Sequence, residues 1–252
     1  MVRVAKHAEA AEALRREACV LVEIADSLPL EVPRPAYHAP RGCPPFSIHR
    51  MLVGTPLTEA VWNALPASAR ERTAREMGAF LRALHAIPTD RAAACRLRPR
   101  TARALAAALR QMIGATVLPQ LSSEAARRLQ DLLAAESSRN SPSPPVLLHA
   151  DFSPGHVLID DDSGAITGII DFGDCALGER ARDLIYVLED FGPDCFHAIV
   201  AVYEPDEPDA LIARVETWRL LEAVDWAHGG MVQADASRAA EGLQEIRELL
   251  DV

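Results

Sequence analysis

Prolines at positions 29, 33, 35, 40, 44 and 45 bar a helix from the stretch after the first 25 residues, because each lacks an N–H and clashes with the preceding turn. Only extended chain fits there, and Phe46 to Leu52 alternates well enough to form a strand before Gly54. Val2-Arg3-Val4-Ala5 alternates in the same way, while His7 to Ala25 carries Leu14, Val20, Leu21 and Ile24 at helical spacing. Residues 1–53 therefore read as a small β-containing lobe. Residues 54–252 read as a mainly helical one. From Ser68 to Ile87, Met77, Phe80, Leu81 and Leu84 fall at the period of a helix with one buried stripe. Further helices are expected over Thr101 to Met112 and Ser123 to Ala135, followed by an exposed Ser/Pro loop from Ser137 to Pro145. Val146 to Leu148, Val157 to Ile159 and Ile166 to Ile170 are β-prone, the last two joined by a turn at Asp160 to Gly164. The final third reads as helical, and no internal repeat is visible.

Charge narrows the partners. The 252 residues carry 36 acidic against 26 basic side chains, a formal charge of −10, so a nucleic-acid backbone or an anionic membrane would be repelled and a cationic ligand favoured. Cys19, Cys43, Cys95, Cys175 and Cys195 are odd in number and show no metal or redox spacing; reduced thiols in a cytoplasmic protein are the simplest reading. The amino terminus lacks the pattern of a signal peptide, and no apolar run approaches the roughly 20 residues of a membrane span.

The densest polar signal is His149-Ala150-Asp151-Phe152-Ser153-Pro154-Gly155-His156, followed fifteen residues later by Asp171-Phe172-Gly173-Asp174 at the end of an apolar run. This is the order that phosphoryl transfer uses: a carboxylate for the substrate hydroxyl's proton, a metal ligand five residues on, and a second metal-binding carboxylate after a hairpin. A hydrolase with a transition metal on His149, Asp151 and His156 needs a third histidine or a bridging carboxylate, and neither is evident nearby.

These residues resemble the aminoglycoside phosphotransferase family, which shares the protein-kinase-like fold, and the resemblance extends over the whole chain. Its H-x-D-x-x-x-x-N pattern falls on His149, Asp151 and His156, and its I-D-[FW] segment on Ile170, Asp171 and Phe172. The resemblance implies an α+β, two-lobe fold with a truncated small N-lobe, Asp151 as catalytic base, and His156 and Asp171 as ligands of Mg²⁺. His149 would shape the loop, and Asp183-Leu184 would be structural. Histidine at position 156 is similar to the 2''-phosphotransferase branch and the macrolide phosphotransferases; because magnesium prefers oxygen, it also admits Mn²⁺. The donor implied is ATP or GTP, with Arg3 as the phosphate-clamping cation, Glu17 as its partner, and the backbone of His49, Arg50, Met51 and Leu52 as the purine hinge. Lys6, the only lysine, would face the other side of the strand from Arg3. Only two residues precede Arg3, so the strands that cover the nucleotide in the family are missing, and a start inside a longer reading frame is expected.

For the acceptor, the resemblance implies a polycation. Asp174, Glu189, Asp190 and Asp194 follow the metal loop, while Glu216, Glu222 and Asp225 lie on a later helix. Trp218, Glu222 and Asp225 share a face there, with Trp226 adjacent, so ring and carboxylate could hold an aminated sugar; a solvated acidic face around a core tryptophan is the competing reading. Asp206, Glu207 and Asp209 read as loop charges. The function implied is phosphorylation of a hydroxyl on an aminoglycoside. The alternatives are a macrolide or other small-molecule kinase, and a catalytically silent binding protein.

Overall fold

Strand β1 (Val2–Val4) is followed by helix α1 (Ala8–Ile24), which starts where His7 Nδ1 accepts the Ala10 N–H at 3.3 Å. The computed structural model describes residues 1–140, 144–204 and 206–250. Helix α1 buries Leu14, Glu17, Ala18, Val20, Leu21 and Ile24, so its apolar stripe carries one carboxylate inward. After the proline-rich segment, β2 (Ala36–His38) and β3 (Phe46–Ile48) complete an antiparallel sheet in the order β1-β3-β2. Register places Arg3, Ser47 and Tyr37 in one cross-strand row. Side chains alternate along a strand, so this row faces inward, with Arg3 meeting Glu17, while Val2, Val4 and Ile48 occupy the other face and are 60%, 55% and 43% exposed.

A short β4 (Thr55–Pro56) leads into α2 (Glu59–Ala64), capped by Thr58 Oγ1 on the Val61 N–H, and α3 (Ala67–His85). Met77, Phe80, Leu81 and Leu84 of α3 are fully buried, as their period requires. β7 (Val157–Ile159) pairs with β4 and with β8 (Ile166–Ile169), giving the order β4-β7-β8. The β7–β8 hairpin brings the two motif segments to one end: Ile170 N–H donates to the His156 carbonyl at 2.9 Å. Its turn is closed by Asp160 Oδ1, which accepts the Ser163 N–H at 2.8 Å. β5 (Arg98–Arg100), β6 (Val146–Leu148) and β9 (Ala176–Gly178) make a third sheet, ordered β5-β9-β6. Helix α6 (Ile185–Tyr203) is kinked at Gly192, whose φ of 79° only glycine adopts without strain, before Pro193.

Residues 1–99 with 145–208 form one compact unit, and residues 100–144 with 209–252 another. The boundary expected at 53/54 falls inside the first. In the second unit α4 (Ala102–Met112) packs on α5 (Ser123–Ser138), joined in the unit by α7 (Pro208–Val232) and α8 (Ala236–Leu249). Arg214 of α7 makes a buried two-pronged ion pair with Glu136 of α5, at 2.7 and 2.9 Å. The loop expected from Ser137 begins two residues later, because α5 runs on through Ser138; its residues 141–143 lie outside the described residues.

One expectation is corrected. The five cysteines are not all reduced thiols: Cys19 of α1 is bonded to Cys95, the last residue of a 3-10 turn over Thr89–Cys95, with Cα atoms 5.5 Å apart. The two are 76 residues apart; no local spacing announces them, and only the packing of α1 against the turn brings them together. Cys43, Cys175 and Cys195 are free thiols. A bridge over so long a loop is expected to contribute roughly 4 kcal/mol through loss of unfolded-chain entropy. Urea unfolding with and without a reductant should separate in midpoint accordingly, and a Cys19→Ser, Cys95→Ser double variant should match the reduced protein. Coincident midpoints would mean that the bond is not formed.

Candidate active site

The loop after β6 carries His149, Ala150 and Asp151, and its backbone is unusual: Ala150 has φ 68°. A left-handed alanine costs about 1 kcal/mol and persists only where its surroundings impose it. The constraint comes from two neighbours in sequence that are distant from the loop. Asp183, wholly buried, accepts the N–H groups of His149 (2.8 Å) and Ala150 (2.7 Å), and Arg182 Nη1 donates to the Ala150 carbonyl at 2.6 Å. Asp183 is itself held by His85 Nε2 at 3.0 Å, whose Nδ1 is 2.6 Å from the Tyr203 hydroxyl. Burial opposes ionisation of Asp183, but the His85 hydrogen bond and charge, His149 and the Ala150 N–H hold its carboxyl below the usual range.

His149 is also fully buried. Its Nε2 is 3.0 Å from the Ile170 carbonyl, which only accepts, so Nε2 bears the proton and Nδ1 accepts the Asp151 N–H at 3.3 Å. One neutral ring thereby fixes the start of the loop against the end of β8. Burial lowers its pKa despite the neighbouring Asp183.

Asp151 and Asp171 are both partly exposed, and His156 lies between them. His156 Nδ1 donates to the Asp151 carbonyl at 2.8 Å, with Ser153 Oγ at 3.1 Å and Asp151 Oδ2 at 3.4 Å. That bond places the ring's lone pair on Nε2, 3.8 Å from Asp171 Oδ2. An imidazole lone pair beside a carboxylate is a donor set for a divalent cation. Among the described residues no group of three or more such side chains gathers to hold a metal alone, so the set fits an ion that completes its shell with phosphate oxygens and water. On the other side of Asp171, Arg3 Nη2 is 3.6 Å from Oδ1, and Arg3 Nη1 reaches both oxygens of Glu17 at 2.7 and 2.9 Å. Glu17 is only 3% exposed, and burial raises its pKa against the pull of Arg3. Lys6 is exposed.

The structure thus brings Asp151, His156, Asp171, Arg3 and Glu17 together in one chain of contacts. The hinge residues differ in what their backbones offer. His49 has both polar groups engaged by Met1, its N–H by the Met1 carbonyl at 3.2 Å and its carbonyl by the terminal ammonium at 2.7 Å, while Arg50 and Met51 are exposed. Asp174, Glu189 and Asp190 are exposed. Asp190, on α6, is held above the usual carboxylate range by desolvation and then by the negative charges of Asp151 and Glu59. Glu59, in the first turn of α2, was not legible as a site residue, because nothing in its sequence neighbourhood marks it. In the second unit, Glu222 and Asp225 are partly exposed on α7. Trp218 does not share their surface: it is 1% exposed and belongs to the core, because α7 buries residues around most of its girth. Trp226 is 48% exposed, with the Arg238 guanidinium 4.0 Å from its ring centre. Asp209 lies in the first turn of α7 rather than in a loop.

Comparison with known proteins places the chain in a family. Aminoglycoside 3'-phosphotransferase of Streptomyces fradiae is 32% identical over 122 residues, 47% of this chain and 44% of that protein; the match spans less than half of the relative's length. The GDP complex of wild-type aminoglycoside 2'-phosphotransferase-IIIa superposes with a TM-score of 0.87 at 25% identity, covering 99% of this chain and 85% of that one. A GDP and kanamycin complex of APH(2")-IIia gives 0.84 at 25% identity over 98% and 85%. The model of the phosphotransferase enzyme family, APH, matches residues 1–216, and the chain belongs to that family.

Proposed function

We propose that this protein transfers the γ-phosphoryl group of a nucleoside triphosphate to a hydroxyl of a cationic small molecule, an aminoglycoside. The observation that carries the reading is the position of His156, within 3.4 Å of the Asp151 carboxylate on one side and 3.8 Å of Asp171 on the other. This is the neighbourhood that proton removal and phosphate neutralisation share in a phosphotransferase.

In this mechanism Asp151 orients the substrate hydroxyl and takes its proton as the oxygen attacks the γ-phosphorus and the bond to the bridging oxygen of the leaving diphosphate breaks. Arg3, steadied by Glu17, offers its guanidinium to the donor phosphates. Asp171 and His156 would hold a divalent cation, Mg²⁺ or Mn²⁺, which neutralises charge on those phosphates. The donor is ATP or GTP: one structural relative holds GDP in both of its complexes, and others hold ADP or ATP. Kanamycin in one of those relatives and the acidic group of Asp151, Asp190 and Glu59 support an aminated acceptor.

The deciding experiment is mass spectrometry of an aminoglycoside and macrolide panel after incubation with the full chain, Mg²⁺ and either ATP or GTP. An aminoglycoside heavier by one phosphoryl group is expected. Product from macrolides alone would replace the acceptor, and binding without any product would mean a silent binding protein.

Asp190 offers a narrower expectation. Its raised pKa means that its charge is lost on acidification before that of an ordinary aspartate, and attraction for an amine goes with it. In Asp190→Asn the KM for the aminoglycoside is expected to rise about tenfold, the effect of one charge-assisted contact. The variant's KM should also lose part of the wild type's increase at acid pH. An identical pH dependence in both proteins would remove Asp190 from the acceptor site.

A further inference from the structure

The loop bearing Asp171 is strained. Asp171 sits at φ 64°, ψ 67°, a left-handed state that aspartate tolerates better than most residues but does not prefer. Its internal brace is weak, since the Gly173 N–H reaches Asp171 Oδ1 only at 3.4 Å. Something outside the loop must hold it.

Two successive residues of α1 supply that grip. Glu17 faces the Phe172 backbone, whose polarity helps hold its pKa down, and Arg16 Nη2 donates to the Gly173 carbonyl at 3.3 Å, across 157 residues of sequence. The Arg16 side chain is partly buried, and its Nε is buried and has no hydrogen-bond partner among the described residues. A guanidinium gives up hydration only where the position compensates it. Neighbouring Arg15, by contrast, pairs with Glu12 on the same helix. Glu12 also lines, with Ala8, Glu9, Arg16 and Arg98, a cleft of about 330 Å³. Arg16 therefore could solvate its head group outward, yet it spends it on a loop carbonyl two residues from Asp171.

We infer that Arg16 is a positioning residue: through the Gly173 carbonyl it holds the Asp171 loop in the geometry that receives the divalent cation with its nucleotide. The inference rests on the phosphotransfer reading above. It makes α1 act on the site twice, through Glu17 on Arg3 and through Arg16 on the loop.

The test is a titration of Mn²⁺ into the full-length protein with GDP present, free Mn²⁺ being read by electron paramagnetic resonance, for wild type, Arg16→Met, Arg16→Gln and Arg16→Lys. Met keeps the stem and removes the donors, and the midpoint is expected to rise about tenfold, the loss of one hydrogen bond from a charged group. Gln is too short to reach and should behave likewise, which keeps the test intact if the Met variant does not fold. Lys restores a single charged donor and should recover most of the affinity. In turnover assays the KM for Mg²⁺ should rise more than kcat falls, a split that general loss of folded protein would not produce. An unchanged Mn²⁺ midpoint in folded Met and Gln variants would overturn the role of Arg16. Absence of phosphoryl product from wild type, with Mn²⁺ binding still weakened in those variants, would instead overturn the phosphotransfer reading and leave Arg16 as the brace of a metal-nucleotide site.

Discussion

Asp151→Asn is expected to lower kcat by about 10² to 10⁴, the range for loss of a positioned general base, while the affinity for metal and nucleotide stays within about twofold. The amide keeps the size of the side chain and can still accept a hydrogen bond, so the loop is not disturbed. What it cannot do is carry away the proton of the attacking hydroxyl. The Asp151 carbonyl and N–H, which anchor His156 and His149, belong to the backbone and survive the substitution. Single-turnover rates and nucleotide binding measured on the same preparation separate the two effects. A parallel loss of turnover and nucleotide affinity would mean that Asp151 acts on the donor and not on the acceptor hydroxyl.

The second large effect concerns stability. Asp183→Ala should destabilise the protein by about 3–5 kcal/mol, the usual consequence of breaking a buried charged network from one side. It strands the N–H groups of His149 and Ala150 without an acceptor, leaves His85 unpaired on its Nε2 side, and removes the brace that imposes φ 68° on Ala150. Urea unfolding measures the loss, and a change below about 1 kcal/mol would show that the network is dispensable. The pH dependence has a definite sign. Asp183 titrates lower in the folded state than in the unfolded one, so its contribution is present above the unfolded value near ~4 and is lost as pH falls through the depressed folded value. His149 is likewise lowered. The unfolded chain therefore gains a proton below about pH 6.5 that the folded chain refuses, and stability declines from there downward, by up to about 1.4 kcal/mol per pH unit. In Asp183→Asn the lower-pH component should vanish while the component beginning near pH 6.5 remains.

Helices α1, α3, α4 and α5 were legible because each buries a stripe whose period is written locally, as in Met77, Phe80, Leu81 and Leu84. The β7–β8 hairpin was legible for the same reason, since Asp160 and Gly164 mark its turn in the sequence. So was the meeting of His149, Asp151, His156 and Asp171, because the two segments are close in the chain and the hairpin between them returns one to the other. The pairing of Arg3 with Glu17 was implied by the family resemblance, and a strand followed at once by a helix brings the two side chains together.

What the tertiary structure alone decided has long sequence separation and no local signature. Cys19 and Cys95 are two cysteines among five until α1 packs against the Thr89–Cys95 turn. Arg16 is one of three consecutive charges in Arg15-Arg16-Glu17 until Gly173 is brought beside it. Glu59 and Asp190 acquire a shared field with Asp151 only when α2 and α6 are in place. Trp218, whose spacing from Glu222 and Asp225 is that of an exposed face, is drawn into the core because α7 buries residues on more than one side. Periodicity records which side of an element is buried when one side is. It cannot record which distant side chain will arrive there, since that depends on packing free energies summed over the whole fold.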